Sequence, residues 1–374
     1  MSVSYIPESV KLRLWGKAGG RCEYDGCNER LWVDSLTQSE FNAAYIAHII
    51  ADSPNGPRGD KILSDQLKSD LSNLMLACDK HHRLIDKEKV KEHPVERLRE
   101  MKQKHEARID LLVSLIPEKQ SHVLLYGANI GQQSAPLSAR NAAEAMLPDW
   151  YPAELHPLEI GLRNSSVTDR TAEYWQLERT HLEGKISQDI KPRLAQGSIN
   201  HLSIFAIAPQ PLLILLGALL SDIPPAMVYQ RHREPPSWKW SDEAEDCVCE
   251  VSRPAEVSGP PALVFSLSAT IADQRITSVI PNASIWKISI PVPHNDFLKT
   301  RQQASDFRAV LRRVMNEIKT RHGQDATIHI FPAMPVALAV ELGRVRMPKA
   351  DLPFAIYDED RNNGGFRHAL SIEK

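Results

Sequence analysis

Two short-range pairs of soft ligands stand near the start of the chain. Cys22 and Cys27 are separated by four residues, and Cys78 and His81 by two. Together they offer three thiolates and one imidazole, a donor set that suits tetrahedral zinc. The other reading of such cysteines is ordinary burial as small apolar side chains. The 50 residues between Cys27 and Cys78 exceed a simple finger and leave room for a hairpin. That interval holds a second set of polar residues. His48 lies in Tyr45-Ile46-Ala47-His48-Ile49-Ile50, which reads as a strand. A turn rich in Gly and Pro follows, from Ser53 to Gly59. Asn73 comes next, then Leu74-Met75-Leu76, then Cys78 with His81, His82 and Asp86. Asp86 is four residues beyond His82 and so shares its helix face. From there it could complete or support a second metal site.

This order resembles the HNH nuclease family: histidine on a strand, asparagine after a loop, histidine at a helix start. The entry Leu14-Trp15-Gly16-Lys17-Ala18-Gly19-Gly20-Arg21-Cys22 is similar to that family's zinc-bearing start. The resemblance implies an α+β, ββα-metal fold with a treble-clef-like zinc staple. It also implies a metal-dependent endonuclease acting on double-stranded DNA. Phosphodiester hydrolysis needs a base for water, which a histidine titrating near neutrality can be. It needs a cation to stabilise charge on the phosphate and the leaving oxygen, which Mg²⁺ can supply. By resemblance His48 is the general base. Asn73 holds the His48 imidazole or its loop. His82 ligates Mg²⁺ or a similar ion with Asp86, and His81 is left for zinc. Many HNH sites carry an acidic ligand just before the base histidine, where this chain has Ala47.

The elements that must position these groups are few. Residues 94–111 read as a helix, with Pro94 in its first turn and Val95, Leu98, Met101, His105 and Ile109 on one face. Pro117 ends the apolar run that follows, so the domains are placed at 1–115 and 116–374. The chain has 374 residues, 42% hydrophobic and 25% charged, enough for two cores and against intrinsic disorder. Its net charge of −2 excludes a globally basic coat. Residues 1–112 hold 18 Lys/Arg and 18 Asp/Glu, so DNA affinity there must come from a local patch. Five cysteines do not make a disulfide scaffold, and Cys247-x-Cys249 reads as structural. No apolar segment opens the chain, so a cytoplasmic protein is expected.

Beyond residue 116, apolar strands alternate with helices, which argues for α/β architecture with a largely parallel sheet. Candidate strands are 201–208, 262–268, 284–290, 326–331 and 354–357. The clearest helix is 300–322, with Phe307, Val310, Leu311, Val314 and Ile318 on one face and Gly323 as its stop. The most apolar stretch, 204–220, is broken by Pro209, Gln210 and Pro211 and reads as a buried strand followed by a buried helix, not a membrane span. Sliding the chain by 126 residues lays Ile204-Phe205 on Ile330-Phe331, Pro209 on Pro335 and Leu216-Gly217 on Leu342-Gly343. Tyr229 meets Tyr357 after a two-residue adjustment. Two readings remain open: generic strand–helix units of one domain, or a fused duplication about a pseudo-twofold axis.

Residues 120–374 resemble the SAVED domain, a fused pair of Rossmann-like, CARF-related units that sense cyclic oligonucleotides. The resemblance rests on Val123-Leu124-Leu125-Tyr126-Gly127 and on Ala142 to Leu147 leading to Tyr151-Pro152. It also rests on Ile328-His329-Ile330-Phe331 leading to Pro335 and Gly343. Together the two resemblances imply an HNH–SAVED effector of CBASS antiphage signalling. In such an effector a cyclic di- or trinucleotide activates DNA cleavage. A single HNH centre cuts one strand, so a homo-oligomer that pairs two centres is expected on activation. Bases favour aromatic faces and phosphates favour Arg, Lys or helix N-termini. The ligand-contact candidates are therefore Tyr229, Arg231, Trp238 and Trp240, with Pro209, Gln210, Met334 and His294 by position at strand ends. The tryptophans could equally anchor their loop. Two other readings of the whole chain stay open. One is a ligand-controlled, non-catalytic zinc DNA-binding protein; the other is a modification-dependent restriction endonuclease.

Overall fold

The first helix, α1 (Glu8–Ala18), stops where Gly19 and Gly20 take left-handed φ angles of 60° and 63°. A Cβ at Gly20 would press on the Trp32 ring, so this turn requires glycine twice over. The computed structural model describes residues 5–34, 36–131, 133, 135–162, 169–243, 249–360 and 365–373. The chain divides into two units, Met1–Ile116 and Pro117–Lys374. In the first, β1 (Tyr45–His48) is followed by the short α2 (Leu63–Leu67) and by β2 (Leu74–Ala77). β1 and β2 form an antiparallel hairpin with His48 opposite Leu74. Cys78 caps α3 (Asp79–Arg83), which runs on into a π-helical turn, Leu84–Glu88. α4 (Val95–Val113) closes the unit. Pro94 stands just outside this helix, with an extended ψ of 164°, rather than in its first turn.

Faces alternate along β2, as a pleated strand requires. Leu74 and Leu76 join Leu14 and Leu31 on one side of the hairpin. Met75 joins Ala47, Ile85, Leu98 and Met101 on the other. An acidic side chain at position 47 would enter this second apolar cluster, which is a physical reason for alanine there.

The second unit has two sheets. β3 (Gln120–Gly127), α5 (Ala139–Met146), β4 (Tyr151–Pro152), β5 (Leu158–Ile160), α6 (Ala172–Lys185) and α7 (Lys191–Ala195) come first. β6 (Leu202–Ile207), α8 (Gln210–Leu220) and β7 (Ala226–Tyr229) follow. The first sheet is parallel, in the order β4-β3-β6-β7, with β5 also against β3. The chain continues through β8 (Glu250–Ser252), β9 (Pro261–Ser266), α9 (Asp273–Thr277), β10 (Ser284–Ser289) and α10 (Arg301–His322). It ends with β11 (Ile328–Ala333), α11 (Val336–Val345), β12 (Phe354–Asp360) and β13 (Gly365–Ile372). The second sheet runs β13-β12-β11-β9-β10-β8, parallel within and antiparallel at both edges. Pairing is thus largely parallel, the second sheet being mixed only through its two edge strands. β11 continues two residues past its expected end because Pro332 is accommodated opposite Phe265 of β9. α10 begins at a Thr300–Gln303 capping box, so His294 does not open it and lies in the preceding turn.

The segments β6–α8–β7 and β11–α11–β12 share one topology, each a helix joining two parallel strands. Pro209 and Pro335 occupy the N-cap positions, with φ, ψ of −53°, 141° and −56°, 148°. Phe205 stacks on Tyr229 at 4.3 Å, and Phe331 stacks on Tyr357 at 4.6 Å. α8 and α11 are buried nearly all round and pack on each other. A Cβ at Gly217 would run into the Val340 carbonyl, and one at Gly343 into the Ile214 carbonyl. Ile214 and Val340 are themselves 126 residues apart, so the contact is reciprocal. Among the described residues no helix is long and apolar enough to cross a membrane.

Glu178 of α6 is 1% exposed, its Oε2 has no hydrogen-bond partner, and burial raises its carboxyl to about 7. A raised carboxyl holds its proton more tightly folded than unfolded. Its neutral form is accommodated below the unfolded value of about 4.3, and stability is lost as pH rises through the folded value. Glu178→Gln is therefore expected to raise the melting temperature by several degrees at pH 8, with an upper limit of about 3 kcal/mol. The gain should fade by pH 5, and a pH-independent effect in thermal melts would contradict this account.

Candidate functional site

The glycine turn after α1 delivers Cys22, whose N–H bonds the Glu29 carbonyl at 2.9 Å. The knuckle closes as the Cys27 N–H donates to the Tyr24 carbonyl at 3.0 Å. Cys78 and His81 arrive from the end of β2 and the start of α3. The ligand atoms of Cys22, Cys27, Cys78 and His81 all lie within 4.8 Å of one another. His81 Nδ1 is 3.1 Å from Cys78 Sγ and 3.7 Å from Cys22 Sγ. Burial pushes the Cys22 thiol far up, and the neighbouring Cys78 and Cys27 push it further. Burial likewise lowers His81 and favours its neutral, ligating form. Its ring is stacked on Tyr24 at 4.1 Å, and the Tyr24 hydroxyl is 3.0 Å from His93 Nε2. Three thiols crowded in a partly buried site meet the demand of a divalent cation, which would hold them as thiolates. The cluster could bind a metal ion such as zinc. Stripping it with a chelator, or replacing Cys78 with serine, is expected to abolish the unfolding transition of residues 1–116 and leave that of residues 117–374 in place. Calorimetry with metal analysis checks this.

His48 ends β1 and is 6% exposed. Its Nε2 is 2.9 Å from the Lys68 carbonyl. Since a carbonyl only accepts, Nε2 carries the proton and Nδ1 keeps a lone pair. Asn73 makes no hydrogen bond to that ring. Its Oδ1 accepts from the Ile50 N–H at 2.8 Å, and its Nδ2 donates to the carbonyls of Ile50 at 2.8 Å and Leu67 at 3.2 Å. Asn73 therefore ties both ends of the 51–66 loop and steadies the residue next to the carbonyl that holds His48. His82 stacks on Tyr45 at 4.9 Å, and its Nε2 is 3.3 Å from Asp86 Oδ2. Burial lowers the His82 pKa, and Asp86 opposes the shift. Asp86 does not stand free as a ligand, because its Oδ1 accepts from Arg58 Nη2 at 2.6 Å. Arg58 was not visible as a site residue. It sits in Pro57-Arg58-Gly59, where a surface cation in a turn is the ordinary reading.

The candidate ligand residues of the second unit fall into three groups. Gln210 and Met334 meet: Gln210 Nε2 donates to the Met334 carbonyl at 3.1 Å, and Gln210 Oε1 accepts from its N–H at 3.3 Å. The turn at Pro209 and the turn at Met334 are thereby bound together. Arg231, Trp238 and Lys239 line a cleft of about 300 Å³ with Asn141 and Glu144 of α5. The Arg231 guanidinium lies over the Trp238 ring at 5.8 Å. Tyr229, Trp238 and Trp240 are all buried: Tyr229 stacks on Phe205, Trp238 meets Phe205 edge-on at 5.3 Å, and Trp240 meets His232 edge-on at 6.1 Å. In this arrangement Tyr229 packs the strand end and exposes no ring face to a base. His294 is exposed, with its Nδ1 3.4 Å from the Asp296 N–H. Cys247 lies outside the described residues. The contributions of α5 to the cleft, and of Gln230, whose Oε1 accepts from the Ala337 N–H at the start of α11, carry no sequence signal.

The family model described as "SMODS-associated and fused to various effectors sensor domain" matches residues 182–372. The chain belongs to the SAVED family. The SAVED match opens within α6 and takes in both strand–helix–strand segments, while β3 and α5 lie before it. No curated protein matches the chain. Among solved structures, the chain is similar to an Acinetobacter baumannii Cap4 SAVED/CARF-domain containing receptor with the cyclic trinucleotide 3′3′3′-cAAA. The identity is 11%, the TM-score 0.45, and the match covers 75% of this chain and 62% of that one. The same receptor with 2′3′3′-cAAA gives 11%, 0.44, 75% and 61%. A Moraxella osloensis Cap4 receptor gives 11%, 0.40, 75% and 60%. The match thus spans less than two thirds of those receptors' length.

Proposed function

We propose that this SAVED protein is a ligand-gated, metal-dependent DNA endonuclease of CBASS antiphage defence. Residues 1–115 are read as an HNH domain stapled by Zn²⁺. Residues 116–374 are read as a cyclic-oligonucleotide sensor made of two fused Rossmann-like units. The observation that carries the nuclease reading is His48, held by the Lys68 carbonyl through Nε2 with its Nδ1 lone pair uncommitted. His48 Nδ1 takes a proton from water, the water oxygen bonds to phosphorus, and the bond to the leaving 3′ oxygen breaks. His82 would hold a divalent ion such as Mg²⁺, with Asp86 orienting its ring. That ion would supply Lewis-acid stabilisation of the phosphate and the leaving oxygen. Asn73 keeps the loop that carries the Lys68 carbonyl in register.

The sensor reading is supported by the family match and by the reciprocal α8–α11 contact. In this reading two similar halves would suit a ligand that is itself nearly twofold or cyclic. The cleft walled by Arg231 and Lys239 offers cations for phosphate, while Trp238, 3% exposed, packs on Phe205 beneath Arg231. One HNH centre cuts one strand, so double-strand breaks require two centres, and the ligand is proposed to assemble a homo-oligomer.

The test is plasmid cleavage with Mg²⁺, without ligand and with a panel of cyclic di- and trinucleotides, followed by light scattering on the same samples. Cutting with one or two ligands, together with a rise in mass, is expected. Cutting that ignores every ligand would discard the sensor role. No cutting by zinc-loaded protein under any condition would favour a ligand-controlled zinc DNA-binding module.

A further inference from the structure

Arg58 has a φ of 59°, a left-handed conformation that a residue with a Cβ rarely adopts. Its side chain is 6% exposed. The guanidinium donates from Nε to the Ile49 carbonyl at 2.7 Å and from Nη1 to the Ile85 carbonyl at 2.9 Å. Nη2 reaches the His48 carbonyl at 3.2 Å and Asp86 Oδ1 at 2.6 Å. One planar group therefore joins the end of β1, at His48, to the helical turn that carries Asp86. Asp86 in turn meets His82 Nε2. An unfavourable backbone kept in place by four interactions marks a position whose side chain is over-determined.

We propose that Arg58 is a positioning residue of the nuclease centre, fixing Asp86 and through it the His82 ring while it locks the backbone of His48. The inference rests on the reading of His82 as a divalent-ion ligand. Metal-bound histidines depend on a carboxylate or carbonyl at their other nitrogen, and loss of such partners weakens metal binding about 10–100-fold. Here the partner carboxylate is itself held by an arginine. Lysine cannot replace it, since one ammonium cannot reach four acceptors spread around a plane.

The experiment uses the full chain, loaded with zinc and titrated with Mn²⁺ by calorimetry. Glycine adopts the φ of this position without strain, so Arg58→Gly removes the side chain and leaves the turn intact. Arg58→Gly is expected to weaken Mn²⁺ binding 10–100-fold, retain its zinc, and recover part of the affinity with added methylguanidinium. A merely structural role would not produce that rescue. Arg58→Lys is expected to weaken Mn²⁺ binding by a similar factor, and it carries the test if the glycine variant loses its zinc. His82→Ala is the control and should lose the Mn²⁺ site. Wild-type Mn²⁺ affinity in the Arg58 variants, with the site lost in His82→Ala, would overturn the role of Arg58. Wild-type affinity in His82→Ala would overturn the underlying divalent-ion reading instead.

Discussion

Gly343→Ala is expected to destabilise residues 117–374 by more than about 4 kcal/mol, the range reserved for severe core faults. The added Cβ would meet the Ile214 carbonyl and the Ala218 nitrogen, which are main-chain atoms of a buried helix and cannot swing aside. α8 and α11 would have to separate, and every contact along both helices would loosen with them. Gly217→Ala should be similar, because its Cβ would meet Val340 and Arg344 in the same way. Arg344 adds to the effect. Its guanidinium pairs with Glu341 at 3.0 Å and donates to the carbonyls of Ser221 at 3.1 Å and Pro224 at 3.2 Å, just past the end of α8. A shift of α11 would strand those buried groups. The double variant should cost much less than the two single costs combined, since helices already forced apart accept the second Cβ. Urea unfolding of the three variants measures this; losses below about 1 kcal/mol would show that the crossing is not held at this distance.

His48→Ala is expected to slow ligand-activated plasmid cleavage about 10²–10⁴-fold, the usual contribution of a positioned base. Zinc content should be unchanged, because His48 lies outside the Cys22, Cys27, Cys78 and His81 cluster. The stability cost should be small, since the ring makes a single hydrogen bond, to the Lys68 carbonyl. That combination separates a catalyst from a binding module. A zinc module that only holds DNA has no use for a lone pair at Nδ1 and would tolerate alanine. Cleavage at the wild-type rate by the folded, zinc-loaded variant would remove His48 from the chemistry.

Local chemistry was legible in the sequence wherever the determining residues are neighbours along the chain. Cys22 with Cys27, and Cys78 with His81, are each brought together by one turn of backbone. The only long-range step is the meeting of two pairs, and the structure gathers all four ligand atoms. Helix α10 was readable from the 3.6-residue spacing of Phe307, Leu311, Val314 and Ile318, all buried. The buried strand and helix of 202–220 were readable from apolar runs broken by proline.

Tertiary structure decided what depends on main-chain partners and on close approach. Arg58 has three carbonyls among its four acceptors, and carbonyls carry no sequence signature. Asp86 shares a helix face with His82, as its spacing implies, but only the fold turns its second oxygen toward Arg58. Tyr229, Trp238 and Trp240 have the aromatic faces that a base would stack on, yet packing against Phe205 and beside His232 buries them. The period of 126 residues allowed generic units as readily as a duplication. What the spacing did not reveal is the close approach of α8 and α11 at Gly217 and Gly343, because contact between helix backbones depends on the crossing of two helices and not on the residues of either alone.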